Sequence, residues 1–299
     1  MIRILVPGLH ATIQDAGRTR HLRQGVPTAG PADRVAHAFA NALVGNDPGE
    51  AAVEITGLPF AFVAERALLV AVTGRDVRLV ARDIIPGWTC AFARAGDELR
   101  VEGRSRYAYL AARGGMDAPR VLGSRAAYPP ASLGAPSLVA GARLGVRAAT
   151  LDTTRAGLAA IAPPYARDTV RVILGPHHER VDLVTLLESA FTIDERSDRM
   201  GVRLRGPAIG ARDGELLSAG VVEGAIQIPG GGAPIVLLAD HQTTGGYPVA
   251  GTVIAADLPL VAQREPGEGL RFAATTEAQA VAELQRVRRD VFALRDEID

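Results

Sequence analysis

Residues 235–248 read Ile-Val-Leu-Leu-Ala-Asp-His-Gln-Thr-Thr-Gly-Gly-Tyr-Pro, an apolar run that leads into a polar loop. The first five residues are typical of a buried β-strand, and the polar residues follow where that strand reaches the surface. Binding residues are frequent on loops held by a rigid strand, and paired glycines let a backbone approach a ligand closely. The alternative is a Gly-Gly turn in which Asp240 and the threonines bond the turn's own amides. The stretch therefore predicts a strand-rich fold with a candidate site at one strand end.

Short β-rich runs recur along the chain, at residues 2–6, 68–73, 77–81, 107–112, 169–174, 225–228, 234–239 and 251–254. They are separated by turn-forming residues, among them many of the 33 glycines and 19 prolines. This spacing favours a mainly β protein built from barrels or sandwiches over repeated βαβ units.

Three segments are predicted to be helices. The first begins at Pro31-Ala32-Asp33 and ends at Gly45, and the second covers residues 178–188. The third begins after Thr276 and runs to the C-terminus. We expect its apolar stripe to pack on the body of the protein; the stripe consists of Val281, Leu284, Val291, Leu294 and Ile298.

The Ala-rich segment 155–167 contains Pro163-Pro164 and is the best candidate for a hinge. It predicts an N-terminal β-rich lobe, 1–162, and a C-terminal β-barrel lobe with the terminal helix, 163–299. A single continuous domain is the alternative.

Composition excludes several kinds of chemistry. All 33 basic residues are arginine, so the chain has no P-loop lysine, no lysine Schiff base and no lysine that could carry covalent biotin. Arginines and acids balance to zero net charge, and no basic stripe with interleaved aromatics supports nucleic-acid binding. We therefore expect no nucleic-acid partner.

The single cysteine and the apolar pattern bear on the compartment. Cys90 lies in an apolar context that predicts a buried structural thiol, and one cysteine cannot form a disulfide framework or a cysteine-rich zinc site. We found no signal-peptide pattern and no apolar run long enough to cross a bilayer. The expectation is a cytoplasmic protein with no membrane partner.

Several polar blocks occur together in a characteristic order. They are Gln14-Asp15-x-Gly17-Arg18, Asn41-x-Leu43-Val44-Gly45-Asn46, Glu54-Ile55-Thr56, Gly114-Gly115-Met116-Asp117, Leu122-Gly123-Ser124-Arg125, Arg199-Met200-Gly201, Gly224-Ala225-Ile226-Gln227-x-Pro229 and Gln242-Thr243-Thr244-Gly245-Gly246-Tyr247-Pro248. Over nearly its whole length the chain resembles the family of the 5-oxoprolinase C subunit, also called allophanate hydrolase subunit 2, which includes KipA. It also resembles one half of the carboxyltransferase region of urea carboxylase.

The resemblance implies a fold of cyclophilin-like β-barrel lobes and ATP-dependent opening of 5-oxoproline to L-glutamate. The implied partners are the A and B subunits of 5-oxoprolinase, of which the second is similar to KipI, or allophanate hydrolase subunit 1. The chain departs from the family pattern at Ala32, where methionine is usual, and at Arg20, where glycine is common. These departures bear on the identity of the substrate more than on membership of the family.

The implied reaction needs cations for anions, acids for proton transfer or Mg²⁺, and polar groups that position a ring. The candidate catalytic acids are Asp240, Asp15 and Asp33. The candidate binding residues are Gln14, Arg18, Arg199, Arg203, Gln227, Gln242, Thr243, Thr244, Gly245, Gly246 and Tyr247. His241 is a weaker candidate base, and the adjacent His177 and His178 are not expected to form a metal site. We further expect Arg199 and the loop from Gln242 to Tyr247 to line one pocket.

Three functions remain open at this point. The first is a subunit of 5-oxoprolinase that uses ATP, with Mg²⁺, in a site shared with or carried by a partner. The second is a biotin-dependent carboxyltransferase subunit that receives carboxybiotin from another chain. The third is a KipA-like regulatory protein that acts by binding a partner.

Overall fold

Strands form most of the regular structure in residues 1–212 and 216–296, the part of the chain that the computed structural model describes. The strands in chain order are β1 (Ile2–Val6), β2 (His10–Gln14), β3 (Ala52–Thr56), β4 (Phe60–Ala64), β5 (Leu68–Thr73), β6 (Val77–Val80), β7 (Ile84–Pro86), β8 (Thr89–Ala93), β9 (Glu98–Gly103), β10 (Ala108–Ala112), β11 (Met116–Asp117), β12 (Arg143–Val146), β13 (Thr169–Leu174), β14 (Phe191–Ile193), β15 (Gly201–Arg205), β16 (Ala219–Gly220), β17 (Ala225–Gln227), β18 (Ile235–Leu237), β19 (Thr244–Gly245), β20 (Val249–Val253) and β21 (Gly269–Ala274). The helices are α1 (Arg34–Leu43), α2 (Leu183–Glu188), α3 (Leu258–Ala262) and α4 (Glu277–Asp296). The mainly β class with a C-terminal helix is confirmed.

The chain divides into two units. Unit 1 comprises Met1–Arg18, Ala29–Pro163 and Val287–Asp299, and unit 2 comprises Thr19–Thr28 and Pro164–Arg286. The main division therefore falls within the Pro163-Pro164 pair. Residues 19–28 and the C-terminal residues are grouped differently from the two lobes that we expected.

Unit 1 contains two sheets around one apolar core. One sheet has the strand order β11-β12-β1-β4-β9-β6-β7 and the other β2-β3-β10-β5-β8. Side chains from both sheets share the core, including Ile4 and Phe62 of the first sheet and Ile13, Val70 and Leu110 of the second. Burial of these alternate positions fixes which face of each strand turns inward.

Helix α1 belongs to unit 1 and has the ends that its sequence predicts. The Asp33 side chain accepts a hydrogen bond of 2.9 Å from the Ala36 amide, which satisfies one of the unpaired amides of the first turn. The helix ends at Leu43, and Gly45 follows with φ of 75°, a conformation in which glycine has no steric cost. The predicted helix is confirmed.

In unit 2 seven strands close into a barrel in the order β13-β20-β17-β18-β15-β14-β21. The closing pair, β13 and β21, is parallel, with Val172 opposite Ala274. Val202, Val236 and Ile226 are fully buried inside the barrel. Because side chains alternate along a strand, their neighbours in β15, β18 and β17 lie on the outer face.

One helix prediction needs correction, and one short helix was missed. The segment predicted as a single helix, 178–188, is a 3-10 turn at His178–Arg180 followed by α2, which begins at Leu183. Asp182 caps α2 by accepting from the Thr185 amide (3.0 Å), and Val181 forms a β-bridge with Ala211. Helix α3 was not predicted, since five residues are too few to show helical periodicity.

The C-terminal helix agrees with its prediction in part. Val291 and Leu294 are buried, whereas Val281 is 47% exposed and Ile298 lies outside the described residues. In the described ranges no helix combines the length and the apolar character that a bilayer crossing requires.

Candidate functional site

A cavity of about 280 Å³ lies on the outer face of the unit 2 barrel, and we call it the outer-face cavity. Strands β15, β18 and β17 contribute outward-facing positions to its wall, which the pairings Arg203 with Ile235 and Gln227 with Ile235 bring side by side. Gln242 and Tyr247 come from the segment between β18 and β20, Asp198 and Met200 precede β15, and Pro229 follows β17. The lining residues are Asp198, Met200, Gly201, Arg203, Gln227, Pro229, Ile235, Leu237, Gln242 and Tyr247.

Gln227 is the most informative residue of this cavity. Its side chain is 1% exposed, and its Oε1 accepts a hydrogen bond of 3.2 Å from Nε2 of Gln242. Among the described residues, Gln227 Nε2 has no acceptor. A buried amide without a partner costs free energy unless a ligand or water supplies the acceptor. Gln227 lines the cavity, so a small molecule bound there is a candidate for the missing acceptor.

Gly245 lies directly beside that amide. A Cβ atom at position 245 would come within 2.5 Å of Gln227 Nε2, so any larger residue would displace the amide. The absence of a side chain at this position therefore allows the loop to approach Gln227 closely.

Arg203 supplies the positive charge of the cavity. Its side chain is exposed, and it forms no ion pair or side-chain hydrogen bond with any residue in the described ranges. Arginines elsewhere in unit 2, such as Arg171 and Arg205, are paired with acids. An unpaired guanidinium at a cavity wall can bind a carboxylate or phosphate through two parallel hydrogen bonds.

The loop from Gln242 to Tyr247 is held in place by backbone bonds. Strand β19 pairs with β16, and the Val221 amide donates to the Thr243 carbonyl at 3.1 Å. At the far end of the loop, the Ile228 amide donates to the Pro248 carbonyl at 3.0 Å. These bonds fix Gln242 and Tyr247 over the outer face without using their side chains.

Arg199 and Asp240 form a nearly buried ion pair. The guanidinium donates from Nε and Nη2 to the two carboxylate oxygens at 2.8 and 2.9 Å, and the Asp240 amide donates to the Arg199 carbonyl. Arg199 is not among the residues that line the outer-face cavity; Arg203, on the outer face of β15, occupies that wall instead. A catalytic role for Asp240 stays a prediction, and the pairing of both its oxygens favours a role in holding the end of β18 against the start of β15.

The other candidates of this loop lie close to the cavity but do not line it. Thr243 and Thr244 have side-chain hydroxyls without a hydrogen-bond partner among the described residues, and Gly246 is exposed. His241 is buried, and its Nδ1 lies 2.6 Å from the Gln242 carbonyl, to which it donates. This bond joins His241 to its immediate neighbour in the loop.

Four predicted site residues belong to unit 1, where protein groups bond most of their polar atoms; an exception is Gln14 Oε1, which is buried without a partner among the described residues. Asp15 accepts from the Gly17 amide (2.9 Å), the Ser124 hydroxyl (2.5 Å) and the Arg125 amide (2.6 Å). Gln14 donates to Thr12 and to the Ala127 carbonyl, and Arg18 to the Ala126 carbonyl. These contacts join the segment 14–18 to the segment 124–127. The catalytic and binding roles expected of them stay predictions.

Asp33 lies in a second buried network of unit 1. Its amide donates to the Tyr109 hydroxyl (2.8 Å), which donates to the Glu54 carboxylate (2.8 Å). Glu54 also accepts from the Ala32 amide at 2.9 Å. Burial, reinforced by the negative charges of Glu54 and Asp33, holds the pKa of Tyr109 well above its ordinary value. Asp33 therefore acts as a helix cap inside a buried polar network, and its expected catalytic role is untested.

Several cavity residues were not among the predicted site residues. Ile235 and Leu237 are outward positions of a strand that sequence alone shows only as an apolar run, and Met200 and Pro229 were noted only as parts of blocks. Strand alternation would have assigned 235 and 237 to one face if the barrel register had been known. No group of three or more His, Cys, Asp or Glu suited to a metal ion occurs within residues 1–212 and 216–296.

The closed barrel and the matched sequence define the class of the protein. The family described as "Carboxyltransferase domain, subdomain A and B" matches residues 24–274, and the chain belongs to this family. The crystal structure of TTHA0988 superposes with a TM-score of 0.83 at 32% identity, over 91% of this chain and 55% of that one. The urea amidolyase of K. lactis gives a TM-score of 0.88 at 24% identity, over 98% of this chain and 20% of that one, which shows the shared fold.

Curated relatives narrow the class further. The chain is 32% identical to the C subunit of 5-oxoprolinase from Escherichia coli K12, over 97% of this chain and 96% of the relative. The protein of the same name from Haemophilus influenzae is also 32% identical, over 97% of this chain and 94% of the relative. Urea amidolyase of Saccharomyces cerevisiae is 28% identical over 91% of this chain and 16% of its own length. The resemblance that the sequence blocks indicated is confirmed.

Proposed function

We propose that this chain is a subunit of a 5-oxoprolinase complex that opens 5-oxoproline to L-glutamate with ATP, and that the outer-face cavity binds the lactam. Two relatives that match over nearly their full length are named as the C subunit of 5-oxoprolinase, which supports a role in a hydrolase complex. The observation that carries the assignment of the cavity is the buried Gln227 amide whose Nε2 lacks an acceptor among the described residues.

The cavity complements the functional groups of 5-oxoproline. Arg203 offers a guanidinium to the carboxylate, and Gln227 Nε2 offers an N–H to the lactam carbonyl. Ile235 and Leu237 supply an apolar wall for the ring methylenes, and Tyr247, 50% exposed, stands at the rim. A lactam is a poor electrophile because of amide resonance, and phosphorylation of its oxygen by ATP would supply the activation.

In this proposal, residues of this chain bind and orient the lactam and do not themselves transfer the phosphate. A hydrogen bond from Gln227 and a clamp on the carboxylate would hold the ring in one orientation and lower the entropy cost of reaction. We further propose that activity requires the A subunit of 5-oxoprolinase and its KipI-like B subunit; the names of the relatives, each a C subunit, support a multi-subunit complex.

The test is 5-oxoproline-dependent ATP hydrolysis by the chain co-purified with its A and B partners. Arg203→Gln and Gln227→Leu are expected to raise KM for 5-oxoproline about tenfold or more, since each removes one hydrogen-bonding group from a bound ligand. Arg100→Gln, which alters an exposed arginine beside Glu102 in unit 1, is the matched control and should leave KM unchanged. An unchanged KM in both cavity variants would show that 5-oxoproline does not bind in the outer-face cavity.

A biotin-dependent carboxyltransferase is the second candidate, favoured by the family description and by the 28% identity to urea amidolyase. Urea also has a carbonyl that Gln227 Nε2 could donate to, but it has no carboxylate for Arg203. Urea-dependent loss of carboxybiotin from a carrier protein, sensitive to Gln227→Leu and insensitive to Arg203→Gln, would favour this alternative. A KipA-like regulatory role predicts tight binding to a partner with neither activity.

A further inference from the structure

A second cavity of unit 2 adjoins the outer-face cavity and has a different character. It has a volume of about 380 Å³, and we call it the arginine cavity. Its polar groups come from Asp194, Arg196, Arg203, Arg205 and the glycine-rich turn at residues 230–233. Arg203, Pro229 and Ile235 line both cavities, so the Arg203 side chain stands between them.

The charge of the arginine cavity is positive. Asp194 is 1% exposed and binds Arg196 at 3.0 Å and Arg205 at 2.7 Å. Hydrogen bonds from both arginines hold the pKa of Asp194 well below its ordinary value, so the carboxylate stays ionised. Three arginines against one aspartate leave two positive charges in excess at the wall.

The two paired arginines retain donors for a ligand. Arg196 uses Nε and Nη2 on Asp194, and Arg205 uses Nε, whereas a guanidinium has five N–H groups. Their side chains are 77% and 59% exposed, so the remaining donors are accessible. Asp194 thus fixes the positions of two guanidinium groups, and each of them keeps N–H donors for a ligand.

A glycine-rich turn supplies backbone donors beside these arginines. The Gly232 amide donates to the Pro229 carbonyl at 2.8 Å and closes the turn. Within the described ranges the amides of Gly230, Gly231 and Ala233 have no acceptor. A Cβ at Gly230 or Gly231 would meet nothing within 4 Å, so the backbone borders open space. Successive free amides next to cationic side chains are a common way to bind phosphate oxygens.

We propose that the arginine cavity binds the phosphate groups of a nucleotide or of another diphosphate-containing molecule. A single carboxylate carries one charge, whereas the cavity offers two excess positive charges and several donors, which suits an oligophosphate. An anion here would lie against Arg203, beside the ligand of the outer-face cavity. Placing ATP in this cavity rests on the proposed function; binding of a phosphate anion by the chain alone does not.

The test is isothermal titration of the purified chain with pyrophosphate, and separately with ATP and with adenosine. Pyrophosphate and ATP are expected to bind, adenosine is not, and affinity for pyrophosphate should fall steeply with added salt. The double variant Arg196→Gln/Arg205→Gln should weaken pyrophosphate binding about tenfold or more. Arg100→Gln is the matched control and should bind as the parent chain does.

The double arginine variant leaves Asp194 with fewer partners and so puts the folded state at risk. A second pair of variants, at Gly231, tests the same cavity without changing the partners of Asp194. Gly231→Pro removes the amide N–H, and Gly231→Ala keeps it at a position where a Cβ meets no atom. We expect weaker pyrophosphate binding only in the proline variant, with unchanged melting temperatures in both.

The outcomes of the titration show which part of the ligand is recognised and whether the proposal stands. Binding of pyrophosphate and ATP with equal affinity shows that the phosphates alone are recognised, and tighter binding of ATP shows that a nucleoside adds contacts. Absence of binding, or binding that neither the double variant nor Gly231→Pro weakens, overturns the proposal. Since the titration needs no other chain, pyrophosphate binding without 5-oxoprolinase activity of the complex would refute the proposed function and leave this site standing.

Discussion

Replacing Asp240 by asparagine separates a role in catalysis from a role in positioning. The substitution keeps the size of the side chain and removes the negative charge that faces Arg199. Asp240 is 4% exposed and the Arg199 side chain 15%, so water screens the pair only weakly. Two charge-assisted bonds, at 2.8 and 2.9 Å, would become one neutral bond at most.

The magnitude follows from this burial. Removing one partner of a fully buried pair costs about 3–5 kcal/mol because the other charge is left uncompensated. Arg199 is partly exposed, and the side-chain oxygen of the new asparagine can still accept one hydrogen bond from it. The expected loss of unfolding free energy is therefore smaller, about 2–3 kcal/mol. At about 2–4 °C per kcal/mol, the melting temperature should fall by roughly 5–10 °C.

The assay measures melting and activity on one preparation of the reconstituted complex. We expect a lower melting temperature with turnover per folded molecule within about threefold of the parent, since both Asp240 oxygens are engaged by Arg199 rather than facing the cavity. Glu102→Gln is the control: it breaks the exposed pairs with Arg78 and Arg100, each of which is worth at most about 1 kcal/mol. The double variant Arg199→Gln/Asp240→Asn should be more stable than the sum of the single changes predicts.

One result would refute this reasoning. Loss of turnover by about 10²-fold or more with an unchanged melting temperature is the effect of removing a general acid or base. It would restore Asp240 as a catalytic residue and exclude the positioning role.

Two further predictions concern unit 1. Burial lowers the pKa of His37 from 6.5 to about 4, so the unfolded chain binds a proton in this range that the folded chain does not. Stability should therefore fall by about 3 kcal/mol as the pH drops from 6.5 to 4, and His37→Gln, compared by urea unfolding across this range, should remove that part of the dependence. Burial also raises the pKa of the Cys90 thiol to about 12, so a disulfide reagent should label it only after denaturation. Fast labelling of the native chain would contradict a buried, unreactive cysteine.

Much of the local structure was determined by the sequence alone. The strands Ile2–Val6, Leu68–Thr73 and Thr169–Leu174 have the bounds that their apolar runs predicted, and Asp33 caps α1 as its position predicted. These features depend on near neighbours in the chain: side-chain periodicity, turn residues and a cap three residues from its partner. The ordered polar blocks also identified the family, because they are a property of sequence.

The site itself was decided by tertiary structure. Both Arg199 and Arg203 were candidate binding residues from the sequence; the barrel pairs Arg199 with Asp240 and leaves Arg203 at the cavity wall. It also sets Gln227 opposite Gln242, 15 residues away, with its Nε2 unsatisfied among the described residues. The physical reason is strand register: which side chains meet across β15, β18 and β17 depends on pairings between segments distant in sequence, and a shift of one residue would turn every one of them to the other face.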